Sequence, residues 1–185
     1  MSSHHIVRDN QEPALLLLET DHTFDIVQQL LEWSPTVIVH ESQLDKVLTW
    51  GIKMDVVLLE ESHEEEVMEK AAAQFPLKLI RYRAGESHVS ATLHFLKAGN
   101  YPSLNIVTQQ NLFDTLIAFE SKMDLVIFAE GIRWSLIRSG RYEKKLADHS
   151  TTFIQEGTQT ISIHPDRENK IKVERPSSFW IGEKL

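Results

Sequence analysis

The residues in this chain best placed to do chemistry are carboxylates that close apolar runs. Val37-Ile38-Val39 leads to Glu41, and Val56-Val57-Leu58-Leu59 leads to Glu60 and Glu61. Each run is short, unbroken and rich in branched side chains, the pattern of a parallel strand buried on both faces. In open α/β sheets ligands gather beyond the carboxyl ends of strands, so these three glutamates lie where a site is expected. The plainer reading is a set of strand-end carboxylates that simply meet water. Glu64, Glu65 and Glu66 form a further acidic set. In the first turn of a helix they suit the positive end of its dipole, the alternative being ligation of a cation. His4-His5 could hold a metal, but two adjacent histidines near a terminus read more simply as solvated. The chain has no cysteine. Disulfides, thiolate catalysis and cysteine metal sites are therefore excluded, which is compatible with a reducing compartment.

Those carboxylates need elements to hold them. Between the two runs, Leu44, Val47 and Leu48 recur at helical spacing, and Gly51 stands where a helix end needs a residue tolerant of positive φ. Residues 37–61 thus read as a βαβ unit. Ala14 to Glu19 is an earlier strand, also ending in a carboxylate. Thr20-Asp21-His22-Thr23 can cap a helix carrying Phe24, Val27, Leu30 and Leu31, which stops near Ser34-Pro35. A helix is expected from Ser62 to Gln74, a strand from Leu77 to Tyr82, a turn at Arg83 to Glu86, and a helix from His88 to Lys97 closed by Gly99-Asn100. Ser103 to Thr108 is the fifth strand, and Leu112 to Glu120 the helix after it. Such alternation predicts an α/β fold with a doubly wound parallel sheet.

Past Lys122 the texture changes. Segments 124–128, 133–138, 151–155, 160–164 and 170–174 read as short strands separated by glycine and proline turns, predicting a small antiparallel all-β, sandwich-like unit. The expected domains are residues 1–122 and 123–185. The second is too small to bury much apolar surface alone. Phe179 and Trp180, read as an exposed end, are expected to dock into a groove or a dimer seam.

The α/β stretch resembles the N-terminal domain of thiamine pyrophosphokinase, which transfers pyrophosphate from ATP to thiamine. That family has Asp-Gly-Gly after a strand, then Gly-Ile-Lys-Pro-Asp, then Gly-Asp-Phe-Asp-Ser. The matching positions here are Glu41-Ser42-Gln43, Gly51-Ile52-Lys53-Met54-Asp55 and Leu59-Glu60-Glu61-Ser62-His63. Gly85-Glu86-Ser87-His88 stands for a later Thr-Asp segment. Gln109-Gln110-Asn111-Leu112-Phe113-Asp114-Thr115-Leu116 stands for Gly-Gly-Arg-Leu-Asp-His-Thr-Leu. The resemblance covers most of the chain and includes the switch to a β-rich unit.

By that resemblance Glu41 and Glu60 take the catalytic positions; apart from the family's own pattern, Glu41, Glu60 and Glu61, with Glu19 from the first strand, could form a shifted carboxylate set for Mg²⁺ while Arg81 or Arg83 meets phosphate. Ser42, Gln43, Ser87, His88, Asp114 and Thr115 take the cofactor-binding positions for ATP, and Arg81 and Arg83 join them as candidate phosphate partners of the shifted set. The resemblance also implies a homodimer. Yet most of the chemical positions are replaced. Ser62, His88 and Phe113 stand where the family has carboxylates, and Ser42, Gln43, Leu59, Gln109 and Gln110 where it has glycines that let phosphate approach the backbone. No Ser-Asn pair for the thiamine pocket is found; Ser177-Ser178 comes nearest. Pyrophosphoryl transfer depends on Mg²⁺ and on positioning, so these losses count against it.

The remaining bounds come from composition. With 185 residues, 42% of them hydrophobic, the chain can build a real core, and its formal charge of −8 disfavours binding to nucleic-acid phosphates. The start has no long apolar core for a signal peptide and no segment is long enough to span a membrane, so a soluble cytoplasmic protein is expected. The leading reading is a thiamine pyrophosphokinase-like protein with a degenerate site, acting in binding or regulation without a cofactor. The rivals are an active thiamine diphosphokinase using Mg²⁺ and ATP, and a sensor of nucleotides or other small molecules.

Overall fold

The computed structural model describes residues 12–21, 23–146 and 151–185, so His4, His5 and His22 lie outside the described residues. The chain divides into two units, Met1–Val107 with Ser121–Met123, and Thr108–Glu120 with Asp124–Leu185.

The first unit alternates strands and helices: β1 (Ala14–Leu17), α1 (Phe24–Leu31), β2 (Thr36–His40), α2 (Leu44–Thr49), β3 (Val56–Glu60), α3 (Glu64–Lys70), β4 (Lys78–Tyr82), α4 (His88–Ala98) and β5 (Ser103–Val107). Its strands lie in the order β5-β1-β2-β3-β4, all parallel. The chain steps outward from β1 to β4 and then returns to the far side of β1. This reversal gives the doubly wound sheet its switch point between β1 and β5. Leu15, Leu16, Leu17, Ile38, Val39, Val57, Leu58 and Leu59 are fully buried. Burial on both faces explains why these strands read as continuous apolar runs rather than alternating ones.

Local signals hold in most places. Gly51, at φ +68°, closes α2. Its N–H meets the Leu48 carbonyl at 3.0 Å and the Ile52 N–H reaches back to Val47 at 3.3 Å, which is the Schellman pattern. Asn100 does the same for α4, at φ +58°, with Tyr101 N–H on Leu96 O at 3.0 Å. Ser87 caps α4 by accepting from Ser90 N–H at 3.2 Å. Thr23, at the start of α1, makes no capping bond, and its Oγ1 is buried without a partner. Thr20 turns instead to Gln43, whose Oε1 accepts from the Thr20 N–H at 3.2 Å and from its hydroxyl at 2.9 Å. The helix expected over Ser62–Gln74 is broken into α3 flanked by tight 3₁₀ turns at Glu61–His63 and Ala72–Gln74. Gln74 Oε1 accepts the Met54 N–H at 3.3 Å, tethering the last turn to the start of β3.

The second unit holds α5 (Phe113–Ile117), β6 (Asp124–Ala129), β7 (Ile132–Ile137), β8 (Arg141–Lys145), β9 (Thr152–Glu156), β10 (Gln159–Ile163), β11 (Lys170–Glu174) and β12 (Phe179–Lys184). One antiparallel sheet runs β10-β9-β12-β7-β6 and a second pairs β11 with β8. Ile154, Phe179 and Ile181 from the first meet Ile171 and Val173 from the second in a shared apolar cluster, so the unit is sandwich-like. The expectation of an exposed, docking tail is corrected here. Phe179–Lys184 is an interior strand between β7 and β9, and Trp180 is 2% exposed. Trp180 Nε1 donates to the Phe113 carbonyl at 3.2 Å, and the Phe113 ring lies 5.4 Å from Trp180 and 5.1 Å from Trp134. Strand β8 was not foreseen, because Arg141, Glu143, Lys144 and Lys145 leave only Tyr142 to turn inward. Among the described residues no helix is long and apolar enough to cross a membrane.

Candidate functional site

Three parallel strands end side by side and deliver His40, Glu60 and Tyr82 to one edge of the first unit's sheet. The register sets Glu60 level with Tyr82 and His40 level with Leu58. The turn after β2 then brings Glu41 over the end of β3. Glu41 is the hub: its Oε1 accepts the Glu60 N–H at 3.1 Å and the Tyr82 hydroxyl at 3.1 Å, and its Oε2 lies 3.0 Å from His63 Nδ1. Only 13% of its side chain is exposed, against 52% of His63's. The carboxylate is thus sheltered and held by three donors. Glu60 accepts the Ser62 hydroxyl at 2.6 Å.

Proton positions follow from the same bonds. His40 Nδ1 accepts from the Ser42 N–H at 3.3 Å and lies 2.8 Å from the Ser42 hydroxyl. That leaves Nε2 as the protonated nitrogen, donating to Tyr82 Oη at 3.0 Å. Tyr82 passes its own proton towards Glu41. A continuous chain of hydrogen bonds therefore runs from His40 through Tyr82 and Glu41 to His63.

His88, opening α4, completes an aromatic cluster. Its ring lies 5.0 Å from His40 and 5.8 Å from Tyr82, and its Nε2 is buried without a hydrogen-bond partner. Burial holds the pKa of His40 below the ordinary value, helped by the nearby His88 and opposed by Glu41 and Glu19. Burial lowers His88 as well, against the pull of Glu19. Tyr82 is pushed up to about 12 by burial and by Glu41. The cluster therefore favours neutral imidazoles and a protonated phenol.

The other predicted positions are occupied by local partners. Ser42 bonds to His40 and Gln43 to Thr20. Arg81 grips Glu64 with two bonds of 2.6 Å, and Arg83 lies 3.5 Å from Glu61. Leu59, at the family's glycine position, is fully buried in β3. Asp114 and Thr115 lie in the second unit, exposed in α5. Among the described residues no group of three or more histidines and carboxylates is arranged to hold a metal ion. Reading the sequence missed His40, Tyr82 and His63. The available signal was that the first two close strands next to the glutamates already chosen.

A cleft of about 360 Å³ adjoins the cluster, lined by His40, Glu41, His63, Asp45, Glu66 and Lys70 over Leu44 and Val67. A wider opening of about 790 Å³ lies at the other ends of the strands, beside Trp33, Asp55 and Tyr101, and contains none of the predicted residues.

A parallel, doubly wound unit followed by a β-sandwich-like unit is the fold of the thiamine pyrophosphokinases. The chain is similar to the solved yeast thiamin pyrophosphokinase, with a TM-score of 0.65, 8% identity, and coverage of 97% of this chain and 88% of that one. It is similar to the Bacillus subtilis enzyme at a TM-score of 0.61 and 8% identity, covering 94% and 99%. For the Geobacillus thermodenitrificans enzyme the values are 0.59 and 8%, covering 93% and 96%. The sequence matches no family profile and no curated protein. The likeness is one of fold.

Proposed function

We propose that this thiamine pyrophosphokinase-like protein binds a small ligand at the strand-end cleft of its first unit and does not transfer pyrophosphate. The observation that carries the reading is the state of Glu41, whose two oxygens are already taken by Glu60 N–H, Tyr82 and His63. Magnesium wants several convergent oxygens at about 2.1 Å in octahedral order. Glu41 would have to release its donors to join such a set, and Glu61 faces Arg83. The arginines that would meet phosphate are similarly engaged by carboxylates. A neutral His-Tyr-His cluster beside the cleft suits recognition of a polar or aromatic small molecule better than stabilisation of a polyphosphate. Thiamine and nucleotides are the ligands to try first, in a binding or regulatory role. The lack of cysteine and of a membrane-crossing helix among the described residues supports a cytoplasmic setting.

The test is to mix the protein with ATP, Mg²⁺ and thiamine and assay thiamine diphosphate, and to follow thermal unfolding with each compound alone. No product, with an upward shift in the midpoint for thiamine or a nucleotide, is the expected result, since ligands that bind the native state raise its stability. Product formation that disappears in Glu60→Ala would replace this reading with an active diphosphokinase.

A further inference from the structure

Trp33 is the most exposed large apolar side chain among the described residues, at 68%. It follows α1 on a short connection whose backbone is fixed. Its N–H meets the Leu30 carbonyl at 3.4 Å, the Ser34 N–H meets the Leu31 carbonyl at 3.0 Å, and Ser34 takes a positive φ of 50°. The indole is therefore presented by a set loop and not by a fraying helix end. It borders the opening of about 790 Å³ at the starts of β2, β3 and β4, a volume in the usual range for small-molecule sites. The floor is rigid as well. Asp55 Oδ2 accepts the Val37 N–H at 2.9 Å, the Asp55 N–H meets the Val37 carbonyl at 3.0 Å, and the Tyr101 hydroxyl lies 3.2 Å from Thr36 Oγ1.

Charge distinguishes this opening from the opposite edge of the sheet. Around the strand-end cleft the charged side chains are paired, Lys70 with Glu66 at 2.9 Å and Arg83 with Glu61 at 3.5 Å. The opening beside Trp33 has three carboxylates, Glu12, Glu32 and Asp55, and one ammonium, Lys78, and none of the four forms an ion pair among the described residues. A neutral guest filling the opening would strip water from those carboxylates without offsetting the loss, and an anion would add repulsion. A cation answers both, and the face of an exposed indole attracts one too.

We propose that this opening is a ligand site separate from the strand-end cleft, and that it takes a small organic cation bearing an aromatic ring. The ring lies against the Trp33 indole, and the positive centre draws on Glu12, Glu32 and Asp55, with Lys78 opposing it. Every lining residue belongs to the first unit. The site is therefore complete within one chain, and it does not depend on what the strand-end cleft binds.

The test is a titration of the full chain with benzyltrimethylammonium, with benzyl alcohol and benzoate as neutral and anionic counterparts, followed through the indole N–H signals in two-dimensional NMR. The Trp33 signal, identified by its loss in Trp33→Ala, should move saturably with the cation, which should bind at least about threefold more tightly than benzyl alcohol, with benzoate weakest. Affinity for the cation should fall as salt rises. Read from the methyl resonance of the probe, Trp33→Ala should bind at least about threefold more weakly than wild type, Glu32→Gln more weakly and Lys78→Gln more tightly. All three side chains are exposed, so the variants should keep the fold. A Trp33 signal that the cation leaves unmoved, equal affinity for the cation and benzyl alcohol, or a folded Trp33→Ala that binds as wild type does would each overturn the inference, as would Glu32→Gln and Lys78→Gln shifting affinity in the same direction.

Discussion

Two half-buried histidines make the candidate site sensitive to acid. His40 and His88 have pKa values held below the ordinary 6.5, chiefly by burial. As pH falls through 6.5 the unfolded chain takes up these protons before the folded chain does, so stability drops until the folded imidazoles are protonated too. The thermal midpoint of the wild type should therefore decline below pH 6.5, and that of His88→Gln should decline less. Parallel curves would remove His88 from this account. Tyr82→Phe tests the hydrogen-bond chain, since it deletes the hydroxyl between His40 and Glu41. A loss of about 1–3 kcal/mol in urea unfolding is expected, because partners lose their bonds in a sheltered place. The same tyrosine, at about 12, should ionise later than an exposed phenol in an ultraviolet titration. Glu41 and Glu60 were legible as site candidates because apolar runs reveal their ends. His40, Tyr82 and His63 were not, because strand register, and not spacing along the chain, decides which ends meet.

At the scale of elements, β12 shows how close packing replaces pattern. A Cβ added at Gly182 would sit 2.7 Å from the Trp134 ring and 2.9 Å from Ile132 Cγ2, both on neighbouring β7. Gly182→Ala should cost about 1–3 kcal/mol, as overpacking of a filled core does, measured by chemical denaturation against wild type. The first unit's strands were readable because burial on both faces demands unbroken apolar sequence. In the second unit β8 carries charges on nearly every residue, and β12 mixes Phe179, Trp180 and Ile181 with Gly182, Glu183 and Lys184. Neither follows a period. Each is a strand because neighbours supply its backbone hydrogen bonds, β11 for β8 and β7 and β9 for β12, and side chains add to this where Tyr142 and Lys144 both donate to Glu183, at 2.8 Å and 2.6 Å.

For the whole molecule, charge sets the broad expectations. A formal charge of −8 should leave the protein unbound to duplex DNA in a mobility-shift assay at moderate salt, where nonspecific binding depends on Lys and Arg neutralising phosphates. A retarded band would point to a local basic surface that the balance hides. By itself the sequence determined the alternation of buried strands and amphipathic helices, the change to short antiparallel strands, and the acids at the strand ends, since each rests on local periodicity and on which residues tolerate burial. Only the tertiary structure decided that Glu41 spends its oxygens on Tyr82, His63 and the Glu60 backbone, that Trp180 lies inside a sheet, and that Glu12, Glu32 and Asp55 share one opening with Trp33. Those outcomes depend on contacts between residues far apart in the chain, which no local pattern records.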